Sequence, residues 1–183
     1  MSMFTIAGAP TIEEGDMELI FSTTLTSSAA SIATGTLPTG YKSLRINTSL
    51  RTDGNYHSAS VLGYLNGDFN SANYVSNTAL FTNTTSLFAV NEPGMSGTNG
   101  ASAPAGRFNL DTIVILDHES TVKYKSWATR ATVHNGTTVG SRIIAAVAGQ
   151  WLNTDAITSI TFTAAGTAAN FVSGSSVAVY GLK

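Results

Sequence analysis

Oxygen-bearing side chains crowd one short stretch, GYLNGDFNSANY at 63–74, where Asp68, Asn70 and Asn73 sit among glycine, Tyr64 and Tyr74. Hard cations such as calcium are held by shells of roughly six to eight such oxygens. This stretch offers a single carboxylate and lacks the distant bidentate glutamate of a calcium loop, so no metal is expected there. Asn66-Gly67 is the stronger signal, because both central residues of a tight hairpin turn need positive φ, which glycine allows freely and asparagine tolerates. The expectation is a hairpin connection in which Asn70 and Asn73 bond local backbone and Asp68 accepts from a neighbouring backbone amide.

The other reactive side chains are sparse. His57, His118 and His134 lack the short spacings of a zinc site. In ILDHES, strand alternation would put Asp117 and Glu119 on one side and His118 on the other, so the trio reads as a polar strand end. No serine sits in a glycine-flanked elbow, no glycine-rich loop carries the lysine and hydroxyl that phosphates require, and no dinucleotide fingerprint follows a strand. The acidic group Glu13, Glu14, Asp16 and Glu18 falls in an expected N-terminal arm, where solvation or docking to a neighbour explains it better than paired-carboxylate catalysis. No enzyme activity, cofactor or metal is expected. The acceptor tripeptides at Asn47, Asn83 and Asn135 are what chance gives in a chain rich in Ser and Thr.

Composition narrows the partners. Only 11% of the 183 residues are charged while 43% are hydrophobic, the net charge is -2, and cysteine is absent. Ordinary soluble domains carry about a quarter charged residues. A surface meant to be covered by neighbouring subunits is easier to build from hydroxyls, amides and small apolar groups, since burying an ion is costly unless it is paired. Basic residues are scattered singly, so nucleic acid is an unexpected partner. No apolar run approaches the roughly 20 residues of a membrane helix, and Met1–Phe21 lacks the basic start and apolar core of a secretory signal.

The elements that would position these residues follow from a hydrophobic period of two. In YKSLRINTSLRTD, Leu44, Ile46, Thr48 and Leu50 share one face and Arg45, Asn47, Ser49 and Arg51 the other. Similar segments, among them MELIFSTTL, SVLGYLNG, LFTNTTSLFAV, RFNLDTIVIL, VKYKSWATRATV, SRIIAAVAGQW, AITSITFT and SVAVYGL, predict eight or nine strands separated by Gly, Asn, Pro or Ser clusters. The expected architecture is an all-β, antiparallel sandwich of jelly-roll type over 17–183, preceded by an arm at 1–16. Trp127 and Trp151 are expected as core anchors. Asn91–Gly106, poor in apolar residues and with Gly94, Gly97 and Gly100 at every third position, is expected to be a surface loop.

The succession of YKSLRINTSLRTD, YLNGDFNSANY, a glycine-rich loop, FNLDTIVILDHESTVKYKSWATRA, AGQWLNTDAITSITF and NFVSGSSVAVYGLK resembles a family of jelly-roll virion proteins of tailed bacteriophages. Its most specific pieces are NGD with NY a few residues later, the tryptophan followed by AITSITF, and the terminal YGL. The resemblance runs from about Met17 to the C-terminus and carries no catalytic residues. It implies a non-enzymatic structural protein on the surface of the phage particle, a capsid decoration or cement protein that binds the major capsid protein, with a homotrimer expected by analogy. The alternative is a neck or tail-fibre component recognising a host glycan. Candidate contact residues are Tyr56, Tyr64, Asp68 and Tyr74, with Glu13, Glu14 and Asp16 in the arm.

Overall fold

The computed structural model describes residues 17–81, 85–134, 142–165 and 169–183, with backbone alone for 85–90, His134 and Arg142. Among the described residues twelve strands form: β1 Met17–Thr24, β2 Ser31–Ala33, β3 Ser43–Ser49, β4 Ser58–Leu65, β5 Tyr74–Phe81, β6 Thr85–Val90, β7 Gly94–Asn99, β8 Leu110–Leu116, β9 Lys125–His134, β10 Arg142–Trp151, β11 Ile160–Ala164 and β12 Ser176–Leu182. They make an eight-stranded sheet in the order β1-β12-β3-β8-β9-β10-β5-β6 and a four-stranded sheet in the order β2-β11-β4-β7, with every ladder between strands antiparallel.

That order is a jelly roll carrying two inserted hairpins. Setting aside β5–β6 and β9–β10 leaves β1-β12-β3-β8 over β2-β11-β4-β7. In these sheets the first strand lies beside the last and the second beside the last but one, the double Greek key of that fold. Both hairpins join the same sheet beyond β8, so the larger sheet continues past β7, where the smaller one stops. The expected sandwich is therefore present, and its jelly-roll core has eight strands within a total of twelve.

Alternation along the strands builds the core. Leu44, Ile46, Thr48 and Leu50 are buried as the pattern of β3 predicts. With Ile113 and Ile115 of β8 and Val177 and Val179 of β12 they form one inner face, which meets Val61 and Leu65 of β4, Ile160 and Phe162 of β11, and Ile32 of β2. Each such side chain taken fully out of water contributes about 1.5–3 kcal/mol. Trp127 and Trp151 are buried at 3% and 1% exposure, as expected of anchors.

Three expectations need correction. LFTNTTSLFAV is not one strand, because β5 and β6 form an antiparallel pair across it. Asn66-Gly67 is not a hairpin connection, since β4 and β5 belong to different sheets. Asn91–Gly106 is not simply a loop. Its first half is β7, with Met95, Thr98 and Asn99 fully buried. Glycine reads as flexibility in the sequence, but here it permits close approach. A Cβ on Gly94 would lie 2.9 Å from Ser76 Oγ, and one on Gly97 would lie 2.5 Å from Val133 Cγ1. The second half is tied down by Arg51, whose guanidinium donates to the carbonyls of Ala103, Pro104 and Arg107 at 3.0 Å each.

Candidate functional site

The Asp68 stretch folds as a corner between sheets. Asn66 (φ 53) and Gly67 (φ 70) take the positive values expected of a primed turn, closed by Asp68 N donating to Leu65 O at 2.9 Å. Asp68 Oδ2 then accepts from the indole Nε1 of Trp151 and from Asn73 Nδ2, both at 2.8 Å, while Oδ1 accepts from Asn70 N at 3.1 Å. Burial pushes this carboxyl upward, but the bonds from Trp151, Asn73 and Asn70 outweigh it and hold Asp68 below its ordinary value. The carboxylate is engaged by the fold, and no group of three His, Cys, Asp or Glu able to hold a metal occurs among the described residues. Asn66 has a second role that its turn signal does not reveal. Its side chain donates to Ala156 O and accepts from Thr158 N and Ser159 N, pinning the chain between β10 and β11.

The tyrosines do not share a face. Tyr74, a candidate contact residue, is fully buried. Its ring stacks on Trp151 at 6.4 Å, and its hydroxyl donates to Asp68 O and accepts from Leu65 N. Burial pushes its pKa up to about 12. The alternation of a strand beginning at Tyr74 points it inward, which its assignment as a surface contact residue missed. Tyr64 is half-buried and packs against Phe69 at 4.8 Å. Tyr56 lies at the other end of β4, its hydroxyl paired with Thr52 Oγ1 at 2.7 Å. At about 3.3 Å per residue the six strand steps from Ser58 to Tyr64 alone span roughly 20 Å. Tyr64, Asp68 and Tyr74 thus come together at one corner, the Tyr64 and Tyr74 rings edge to face at 6.1 Å, but with Tyr74 buried and Tyr56 at the far end of β4 the four do not make one contact surface; Glu13, Glu14 and Asp16 lie outside the described residues.

The ILDHES segment also departs from strand geometry. Asp117 has φ 50, so the chain turns after β8 and alternation no longer applies. Glu119 Oε1 comes within 3.7 Å of His118 Nε2 and accepts from Gly40 N and Tyr41 N. Lys125, fully buried nearby, donates its ammonium to the carbonyls of Ser120, Lys123 and Thr154 at 2.6–2.9 Å. These charges hold the loops at one end of the sandwich. The same end exposes Val122 and Tyr124.

Charge is scarce on the faces. The strands of the smaller sheet contain no charged residue, and the outer face of the larger sheet carries only Arg45 and Arg130 among its described strand side chains. Cross-strand register places Leu110, Thr132, Ile144 and Phe81 in one row of that face, with Leu116, Ser43, Leu182 and Met17 in another. Leu110 is 66% and Leu116 61% exposed, and Ile144 and Phe81 are each about half exposed.

Where the larger sheet passes beyond β7, a cleft of about 330 Å3 opens. The larger sheet lines it with the aliphatic side chains of Ile143, Ala145 and Val147 of β10 and, beside them on β5, with Ser76 and Thr78, while Ser58 and Ser60 of β4 and Ser96 of β7 line it from the facing sheet, with Glu92 just before β7. Ser76 Oγ is buried with no hydrogen-bond partner. Beside the cleft the free edge of β7 is covered by side chains in place of another strand. Trp127 Nε1 donates to Gly94 O at 2.9 Å, Thr129 Oγ1 to Met95 O at 2.5 Å and Asn109 Nδ2 to Gly97 O at 2.5 Å. Asp111, fully buried, accepts from Gly97 N, Asn109 Nδ2, Ser96 Oγ and Thr132 N. Burial pushes its carboxyl upward against those four donors. A strand edge satisfied in this way is closed to pairing with other chains.

Comparison with protein-family models, curated proteins and solved structures found no match for this chain.

Proposed function

We propose that the protein is a non-enzymatic structural component of a tailed-phage particle, a decoration protein that lies on the capsid surface and binds the major capsid protein through the outer face of its eight-stranded sheet. The observation that carries this reading is the pairing of exposed Leu110, Leu116, Ile144 and Phe81 with only two arginines, Arg45 and Arg130, among the described strand side chains of that face. Seven inter-strand spacings of about 4.8 Å and seven-residue strands at about 3.4 Å per residue make the face roughly 34 by 24 Å, or about 800 Å2. That is the area each partner contributes to an interface of standard size. Covering apolar area there is worth about 25 cal/mol per Å2 before association costs, and many copies multiply the gain across a shell. The resemblance of its motif order to jelly-roll virion proteins and the low charge of the chain support the same role, with a homotrimer as the proposed form.

Deleting the gene from the phage tests the role. Particles lacking the protein are expected to lose infectivity at lower temperature, or on milder osmotic shock, than complete particles, and complete particles are expected to carry hundreds of copies. A few copies per particle would favour a neck or tail-fibre position with glycan recognition, and equal survival of both particles would remove the cement role.

A further inference from the structure

The cleft under the overhanging strands takes no part in docking through the outer face, and its chemistry is that of a small-ligand site. We propose that it binds a single neutral sugar ring, with the ring's carbon face against Ile143, Ala145 and Val147 and its hydroxyls toward Ser76, Ser96 and Glu92. The volume of about 330 Å3 lies at the lower end of the ~300–1,000 Å3 typical of ligand sites, suiting a monosaccharide rather than a nucleotide or a drug-sized molecule.

The walls select the ligand. A pyranose has an apolar carbon face and a rim of donors and acceptors, and the cleft has an aliphatic strip from β10 flanked by hydroxyls, those of Ser76 and Thr78 on the neighbouring β5 and those of Ser58, Ser60 and Ser96 on the facing sheet. A purely apolar guest would leave the unpartnered hydroxyl of Ser76, a residue only 2% exposed, without compensation. A sugar hydroxyl supplies the missing bond. Glu92 is among the described lining residues and no lysine, arginine or histidine is, so an anionic guest meets repulsion and, among those residues, no counter-charge. A carboxylate accepts bonds from adjacent sugar hydroxyls, and such charge-assisted bonds are stronger than neutral ones. The cleft exists because the larger sheet outruns the smaller, so the position of the site follows from the topology.

The test titrates the full chain with D-glucose, D-galactose, D-mannose and N-acetyl-D-glucosamine, with D-glucuronate as the anionic control. Binding is read by saturation-transfer NMR and by the shift in melting temperature. At least one neutral sugar is expected to bind saturably and raise the melting temperature. Ser76→Ala and Glu92→Gln are each expected to weaken that binding about tenfold. Without sugar, both variants are expected to melt at or above the wild-type temperature, because Ser76→Ala removes an unpaired buried hydroxyl. Three results would each overturn the proposal: no saturable binding of any neutral sugar, glucuronate bound as tightly as the best of them, or binding that neither substitution weakens. The docking role can fail on particle stability without touching these outcomes.

Discussion

The indole Nε1 of Trp151, at the end of β10, donates to Asp68 Oδ2 at 2.8 Å, joining two residues 83 positions apart in the chain. The bond ties the corner after β4 to the end of the inserted β9–β10 hairpin, so it couples the jelly-roll core to its extension. Asp68→Ala removes the acceptor for Trp151, Asn73 and Asn70 together and leaves a buried indole N–H unpaired. A cost of about 1–3 kcal/mol follows, or roughly 3–10 °C in melting temperature for a chain of this size. Thermal unfolding followed by tryptophan fluorescence checks it. A wild-type melting temperature in the variant would show that water replaces the carboxylate without loss.

Gly149 lies directly across from Trp127 in the β9–β10 ladder, and a Cβ there would fall 2.1 Å from Trp127 Cζ2. In an unconstrained strand, replacing glycine by alanine stabilises by about 0.5–1 kcal/mol. Here the indole must move, putting its bond to Gly94 O at risk. Gly149→Ala is therefore expected to destabilise by about 1–3 kcal/mol in urea unfolding. The sign alone decides, since a gain in stability would mean that the ring has room to shift.

The period of two made the sandwich legible, because Leu44, Ile46 and Thr48 alternate strictly with polar neighbours and have no helical reading. What stayed hidden was set by distant contacts. β7 is rich in glycine and serine because Ser76, Val133 and Trp127 crowd it, and a single sequence does not reveal those neighbours. Tyr74 looked exposed because its stretch is polar, yet it begins a strand whose first side chain points inward. The turn at Asn66-Gly67 was legible from its φ requirement, but a local turn signal does not say whether the next strand joins the same sheet. The cleft left no local trace at all, since residues of β4, β5, β7, β9 and β10 meet there only through the topology.

His118 is fully buried, and neither ring nitrogen has a hydrogen-bond partner. Burial pushes its pKa below the ordinary 6.5, with Glu119 opposing and Lys125 assisting that shift. The unfolded chain therefore binds the proton first. Stability from the neutral ring is fully present above 6.5 and is lost as pH falls through the depressed folded value. His118→Gln, which does not titrate, is expected to flatten the decline of melting temperature just below that pH. An unchanged slope would assign the acid sensitivity to other groups.

The outer face of the larger sheet makes a sharper demand on the docking role, because its binding must be apolar. With only Arg45 and Arg130 charged among its described strand side chains, there is little for salt to screen. Binding of the purified protein to particles that lack it is thus expected to change less than about twofold across the ionic strengths that cost steered, charge-driven complexes most of their on-rate. Leu110→Glu and Ile144→Glu each place a charge in the cross-strand row of Leu110, Thr132, Ile144 and Phe81, where docking would strip its water without offering a partner. Both side chains are exposed, so the free protein is expected to keep its melting temperature within about 2 °C while binding falls at least tenfold. Glutamate at exposed Val122, on the loop end of the sandwich, serves as the control and is expected to leave binding intact. If Val122→Glu blocks binding and the two sheet variants do not, the contact surface is the loop end and the sheet face is only solvated.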